Sequence, residues 1–166
     1  MSTVPETPSI PSRLNVTDEF GYWFSGIFDG EGCFLFKNTA RTVVTPAPVI
    51  KRTLREDDRS VIEYIKENLG CGRIFDGQYK SEKYTRYRPW VELKVQPIAD
   101  LAEVIVPLFD RYPLQAKKAH EFRMWRMLVH WRYCRRGLRI SAEEKEIYDR
   151  VYAWVGDHRG KTPTRL

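Results

Sequence analysis

The sequence predicts an α+β domain: helix, two strands, helix, two strands, then three helices, with the four strands in one antiparallel sheet backed by helices. Three observations predict it. Phe34 and Phe36, and again Val91, Leu93 and Val95, alternate with other side chains at the period of a half-buried strand. Val61, Ile62, Ile65 and Leu69 instead make a stripe at helical spacing. Capping and turn residues fall between such stretches.

Residues 1–14 are proline-rich and poor in apolar mass, and read as a flexible tail before a single domain over 15–166. Thr17 or Asp18 caps a helix over about 19–28, with Asp18 and Glu19 in the first turn, where the helix dipole favours acids. It ends in the turn Asp29-Gly30-Glu31-Gly32. A strand follows over 33–44, with Phe34 and Phe36 on one side and Lys37, Thr39 and Arg41 on the other. Thr45-Pro46-Ala47-Pro48 is a turn, and 49–54 is the second strand. Asp57 or Asp58 caps a helix over about 58–69, which Gly70 ends. A short strand covers 72–75, and Asp76-Gly77 starts a loop. The fourth strand, 87–95, turns Val91, Leu93 and Val95 to one side and Arg88, Trp90, Glu92 and Lys94 to the other. Pro97 suits the first turn of a helix to about 109, Arg111-Tyr112-Pro113 interrupts, and a longer helix covers about 114–135. Ser141-Ala142-Glu143-Glu144 is a capping box for a last helix over about 141–155.

Of the 166 residues, 42% are hydrophobic and 30% charged, which excludes a disordered or membrane chain. The N-terminus lacks a signal peptide's basic start and apolar stretch. Cys33, Cys71 and Cys134 are odd in number and far apart, so reduced thiols in an intracellular compartment are expected, whether bacterial or phage cytoplasm or an organelle. His120, His130 and His158 have no zinc-ligand spacing. The net charge of +6 is unevenly spread. Residues 1–32 carry one basic and five acidic groups, whereas 111–139 carry nine basic and one acidic. An acidic segment beside basic ones suggests a cation site next to a polyanion surface. The polar sheet face offers Lys37, Thr39, Arg41, Lys51, Arg88 and Lys94, and Arg73, Lys80 and Arg86 complete the set expected to bind double-stranded DNA. A twisted antiparallel ribbon presents such side chains to base edges in a major groove.

The segment Trp23-Phe24-Ser25-Gly26-Ile27-Phe28-Asp29-Gly30-Glu31-Gly32-Cys33-Phe34 resembles the signature of the LAGLIDADG homing endonucleases, in the variant ending Asp-Gly-Glu-Gly. Asn68-Leu69-Gly70-Cys71-Gly72-Arg73-Ile74 resembles that family's helix-to-strand Leu-Gly-x-Gly turn. The stretch from Tyr112-Pro113-Leu114 through Lys117-Lys118 to Phe122 resembles its Tyr-Pro-Leu…Lys-Lys…Phe segment. The resemblance spans roughly 18–135 and implies the αββαββα fold with its DNA-binding sheet; the last helix is extra. It implies a divalent cation, Mg2+, with Glu31 as its ligand and a catalytic residue, and the Gly30 carbonyl as an adjacent ligand. It implies an active-site lysine, Lys117 or Lys118. Where relatives often carry a polar or basic residue at the end of strand two, this chain has Leu54, with Arg52, Arg55 or Arg59 nearby as substitutes.

The chain carries one such motif, and in the family it resembles single-motif proteins are homodimers, so the resemblance implies a homodimer with motif helices crossing at the two-fold axis. Gly21 and Ser25 are four apart with Gly26 adjoining, a spacing that lets helices approach closely, and Phe24 and Phe28 add apolar area. Gly21, Phe24, Ser25 and Phe28 are therefore the expected dimer interface, packing on the chain's own core being the alternative. The expected function is metal-dependent cleavage of a long pseudo-palindromic DNA site, with no membrane partner and no small-molecule substrate. A non-cleaving RNA maturase or DNA-binding regulator on the same fold is the rival, and the presence of Glu31 favours the nuclease.

Overall fold

Thr17 opens the first helix: its hydroxyl accepts the Phe20 N–H at 3.2 Å. The computed structural model describes residues 9–37, 47–79 and 88–158. Helix α1 is Asp18–Glu31, and strand β1, Cys33–Lys37, follows at once. Strand β2 is Ala47–Arg55; a 3-10 turn, Glu56–Asp58, then leads into α2, Arg59–Leu69. Strands β3, Arg73–Tyr79, and β4, Arg88–Val95, complete a sheet of order β1-β2-β4-β3 with every neighbour antiparallel. Ile98–Asp100 (α3), the π-helical Leu101–Ile105 and Val106–Arg111 (α4) form one helical stretch. Helices α5, Lys118–Cys134, and α6, Ala142–His158, follow. The α+β class and the expected element order both hold.

Strand alternation sorts the sheet into two faces. Phe34 pairs with Ile50, Ile50 with Val95, Arg52 with Leu93 and Leu54 with Val91, so these residues share the helix-covered face. Phe34, Ile50, Val91, Leu93 and Val95 are all buried. Onto them α1 lays Phe20, Phe24 and Phe28; the Phe28 ring lies 5.0 Å from those of Phe34 and Phe109, and Phe34 lies 5.0 Å from Trp125. Full burial of each such side chain stabilises the fold by about 1.5–3 kcal/mol. Ile62, Ile65 and Leu69 of α2 are buried at the predicted spacing, and Gly70 ends that helix at a φ of 65°. The capping box is real: Ser141 Oγ accepts the Glu144 N–H at 3.2 Å and the Glu144 carboxylate accepts the Ser141 N–H at 3.0 Å.

Several boundaries differ from those expected, each for a physical reason. Asp29, Gly30 and Glu31 are the last turn of α1 rather than a loop after it, and the Gly32 N–H still donates to Phe28 O at 2.8 Å. Ala47 and Pro48 belong to β2; Pro48 lies beyond the Ile50–Arg55 stretch that pairs with β4, where a strand with one neighbour tolerates proline. Asp76 and Gly77 lie inside β3, opposite Val91 and Trp90. A Cβ at Gly77 would collide with the Trp90 indole, so this glycine makes room for an aromatic ring across the strand pair instead of turning the chain. Helix α5 starts at Lys118 because the Gln115 and Ala116 N–H groups donate to the Asp29 carboxylate at 2.6 and 2.8 Å. Residues 9–16 carry no regular structure, yet Arg13 N–H donates to Glu103 O at 2.8 Å, its guanidinium pairs with Asp100 and Glu103, and Ile10, Leu14 and Val16 pack on the core.

The residues expected at a dimer interface face inward. Gly21, Phe24, Ser25 and Phe28 are buried within the chain itself. Gly21 lies against the buried Tyr112 ring, and Ser25 Oγ donates to Tyr112 O at 2.7 Å. Small side chains at this spacing do admit a close neighbour, but that neighbour is the chain's own Tyr112 segment. Gly21→Ala should therefore destabilise the isolated subunit by about 1–3 kcal/mol through overpacking. Denaturant unfolding checks this, and a midpoint unchanged from the parent contradicts it.

Candidate active site and nucleic-acid face

The end of α1 gathers the chemistry. Asp29 is spent structurally, since its carboxylate holds the backbone of 115 and 116. Four residues' worth of α1 carbonyls end without helical partners, at the negative pole of the helix dipole. The Lys118 ammonium sits there, donating to Asp29 O at 2.9 Å and Gly30 O at 3.3 Å. The next side chain, Glu31, is 70% exposed and accepts from Arg52 Nη1 at 2.6 Å. Arg52 itself is buried on the core face of β2, and its Nε has no partner among the described residues.

Of the two lysines expected near the turn, then, Lys118 reaches it; Lys117 is exposed at the start of α5. Of the three arginines near the end of strand two, Arg52 reaches Glu31. Arg55 instead pairs with Asp57 at 2.9 Å, and Arg59 pairs with Glu56 at 2.6 Å and with Asp76. Among the described residues no three His, Cys, Asp or Glu side chains cluster as a metal site. The Glu31 carboxylate and the Gly30 carbonyl are nonetheless hard oxygens, the donor class magnesium takes, and they fit part of its shell. Burial pushes the Cys71 thiol up to about 12, which removes it as a nucleophile.

The sheet face away from the helices carries Lys51, Thr53 and Arg55 on β2, Trp90, Glu92 and Lys94 on β4, and Arg73 and Phe75 on β3. Lys37 and Arg88 occupy register positions of the same face. Thr39, Arg41, Lys80 and Arg86 lie outside the described residues. Glu92 is buried here, although its row alternates outward. Its carboxylate accepts from Lys94 at 2.8 Å, Thr53 at 2.8 Å and Lys51 at 3.1 Å. Burial works to raise its pKa, but the three hydrogen bonds outweigh that and hold it below the ordinary carboxylate range. The outward face of α1 carries exposed Tyr22 and Trp23, with open space over Gly26 and Gly30. The four-residue spacing of those two glycines was the available signal for an outer helix face, whereas nothing local marks Glu92 as buried.

These features describe an α+β protein with a basic antiparallel sheet beside an acidic helix end. The family model described as LAGLIDADG endonuclease matches residues 24–129, and the chain belongs to that family. The chain is 31% identical over 95 residues, 56% of its length, to the probable intron-encoded DNA endonuclease 1 of Mycosarcoma maydis, covering 31% of that protein. It is 30% identical over 108 residues, 63% of its length, to the probable intron-encoded endonuclease 3 of Neurospora crassa, covering 19% of that protein. The chain thus spans under a third of the length of the curated relatives it matches. Among solved structures it resembles the archaeal intron-encoded homing endonuclease I-Vdi141I complexed with DNA, with a TM-score of 0.68, 19% identity, and coverage of 90% of this chain and 89% of that one. It also resembles the I-SmaMI LAGLIDADG homing endonuclease bound to cleaved DNA, with a TM-score of 0.66, 21% identity, and coverage of 84% and 44%. At such identities these likenesses establish the fold. Among the described residues no helix is long and apolar enough to cross a membrane.

Stability should fall on acidification. Glu92, Asp18 and Glu103 all have folded pKa values below their ordinary ones. Each contribution is therefore complete above the unfolded value, near 4 to 4.5 for carboxylates, and is lost as pH falls through the lower folded value, a window below about pH 4. Thermal unfolding followed across that window should show a falling midpoint. Glu92→Gln should flatten part of the acid limb, and an unaltered limb contradicts the assignment.

Proposed function

We propose that the chain is a site-specific endonuclease of double-stranded DNA that acts as a homodimer and uses Mg2+. The observation that carries this reading is the meeting of Glu31, the Gly30 carbonyl, Lys118 and Arg52 at one helix end beside a basic sheet. The names of the two curated relatives, both probable intron-encoded endonucleases, point the same way.

In this reading the sheet lies in the major groove and fixes the register of the duplex, so that a scissile phosphate meets the end of α1. Glu31 and the Gly30 carbonyl would hold the ion. A bound magnesium ion supplies Lewis acidity at a phosphate oxygen and lowers the pKa of its water. Arg52 holds the Glu31 carboxylate in one orientation. Lys118 keeps its shorter bond, to the Asp29 carbonyl, and has its other protons to offer a phosphate oxygen. One turn provides one carboxylate, so a second copy adds the rest of the acidic centre. The α1 face with Tyr22, Trp23, Gly26 and Gly30 is the surface suited to meet it, because both glycines leave open space for a crossing helix. A two-fold assembly then calls for a pseudo-palindromic target. Coverage of 89% of I-Vdi141I but 44% of I-SmaMI is consistent with a chain that forms one of two similar halves.

Glu31→Gln should retain duplex binding, followed by gel shift in calcium, and lose cutting in magnesium by orders of magnitude. Cutting within a few-fold of the parent removes Glu31 from the mechanism, and joint loss of binding and cutting assigns it a structural role. Lys118→Met should cost far more cutting than Lys117→Met, and the reverse order overturns the choice between them. Sedimentation should give twice the 19.6 kDa chain mass. Gly26→Leu should shift it to the single mass with the helical signal kept. A parent that is monomeric both free and on DNA sinks the two-fold reading.

A further inference from the structure

Glu92 is an acid buried in the middle of the face that, on the reading above, meets DNA. A negative charge there weakens attraction to phosphate, so its presence calls for a local reason. Three donors converge on it, all from the outer face: Thr53 and Lys51 from β2, and Lys94 from two residues along β4. Lys94 is held a second time, its ammonium lying 4.8 Å over the Phe75 ring across on β3. The carboxylate side chain is 6% exposed, whereas those of Lys51 and Lys94 are 33% and 25% exposed. The acid is therefore shut in while the two lysine side chains it holds keep exposed surface.

A lysine on its own is a flexible point charge that suits a phosphate as well as a base. Each ammonium carries three donors and gives one to Glu92, leaving two for something outside. Clamping removes the freedom to swing toward the backbone. It also places two donor groups side by side on the two strands central to the sheet, β2 and β4, away from its edges. In the major groove the partner for such donors is guanine, which offers O6 and N7 as adjacent acceptors. Thr53 and Lys51 share Glu92 Oε2 and Lys94 takes Oε1, so both carboxylate oxygens are engaged by the protein rather than offered to a cytosine amino group.

We propose that Glu92 is a specificity-determining positioning residue, which holds Lys51 and Lys94 as a fixed pair of donors that reads guanine in each half-site. The proposal rests on the DNA reading of the sheet. It also implies that an acid on a DNA face raises discrimination while lowering general affinity.

The test is binding of the full chain to a randomised duplex library in calcium, with Glu92→Gln, Lys51→Met and Lys94→Met alongside the parent. The expected result is a guanine preference in the parent that falls about tenfold in Glu92→Gln. The base pair affected should be the one at which the lysine variants also lose preference. Affinity for off-target duplex should move oppositely, tighter in Glu92→Gln and weaker in the lysine variants. A merely structural Glu92 would lower the unfolding midpoint and leave the base preference and its position unchanged, which overturns the proposal. A shift at a different base pair from the lysines, or a lost preference for cytosine on the contacted strand, overturns it as well. A Glu92→Gln chain too unstable to assay leaves the lysine variants decisive, since unaltered guanine preference in both rules the pair out as readers. A parent with no sequence preference fails the DNA reading itself and this inference with it, whereas a parent preference that survives in the variants fails this inference alone.

Discussion

One face of α1 is fastened along its whole length to the segment that joins α4 to α5, and the candidate site depends on that seam. Asp18 accepts from Arg111 and from the Tyr112 hydroxyl, both at 2.7 Å. One turn on, Gly21 takes the Tyr112 ring against its bare Cα. Another turn on, Ser25 donates to Tyr112 O. The last turn brings Asp29 to the Gln115 and Ala116 N–H groups. Positions 18, 21, 25 and 29 follow helical spacing, so the contacts form a single line. Because the line ends at Ala116, α5 can begin only at Lys118, whose ammonium then has the α1 carbonyls within reach.

The same seam explains what could and could not be read in advance. Local patterns were sufficient for the strands of Val91 to Val95 and Phe34 to Phe36, for the stripe of α2, for Gly70 and for the capping box, because each depends on neighbours a few residues away. Asp76-Gly77 has the composition of a turn; the cause of its place in a strand is Trp90, across the sheet. Gly21 and Ser25 showed that something approaches closely without showing what. The sequence pattern places the start of α5 too early because the residue that holds the Gln115 backbone outside the helix is 86 positions away. Glu31, Gly30 and the lysine pair were legible through the motif, while the choice of Lys118 and Arg52 required the folded distances.

Charge at the site is unevenly solvated. Arg52 is buried on the core face, an environment in which a guanidinium without a partner costs several kcal/mol by order of magnitude. Glu31 satisfies one end of it from the solvent side, and Nε stays unpaired among the described residues. The acid thus has two duties, one toward the protein's interior and one toward the face where a phosphate would approach. Lys118 is in the opposite position: its partners are uncharged carbonyls, so its full charge remains to act outward.

The strap formed by residues 9–16 has a consequence for how the chain can be joined to others. Arg13 bridges Asp100 and Glu103, and its backbone donates to Glu103 O, so the strap lies across the start of the helical stretch that contains the π-helical turn. It also shields the apolar side chains that Ile10, Leu14 and Val16 cover. A fusion partner attached ahead of residue 9 would emerge from this side, anchored some distance before α1. A cut made after Arg13 would detach the ion pairs together with Ile10, and leave Leu14 and Val16 on the α1 side. The working start of the folded unit is therefore this strap rather than the first turn of helix, and swaps between relatives would best carry it along with α3 and the π-helical turn.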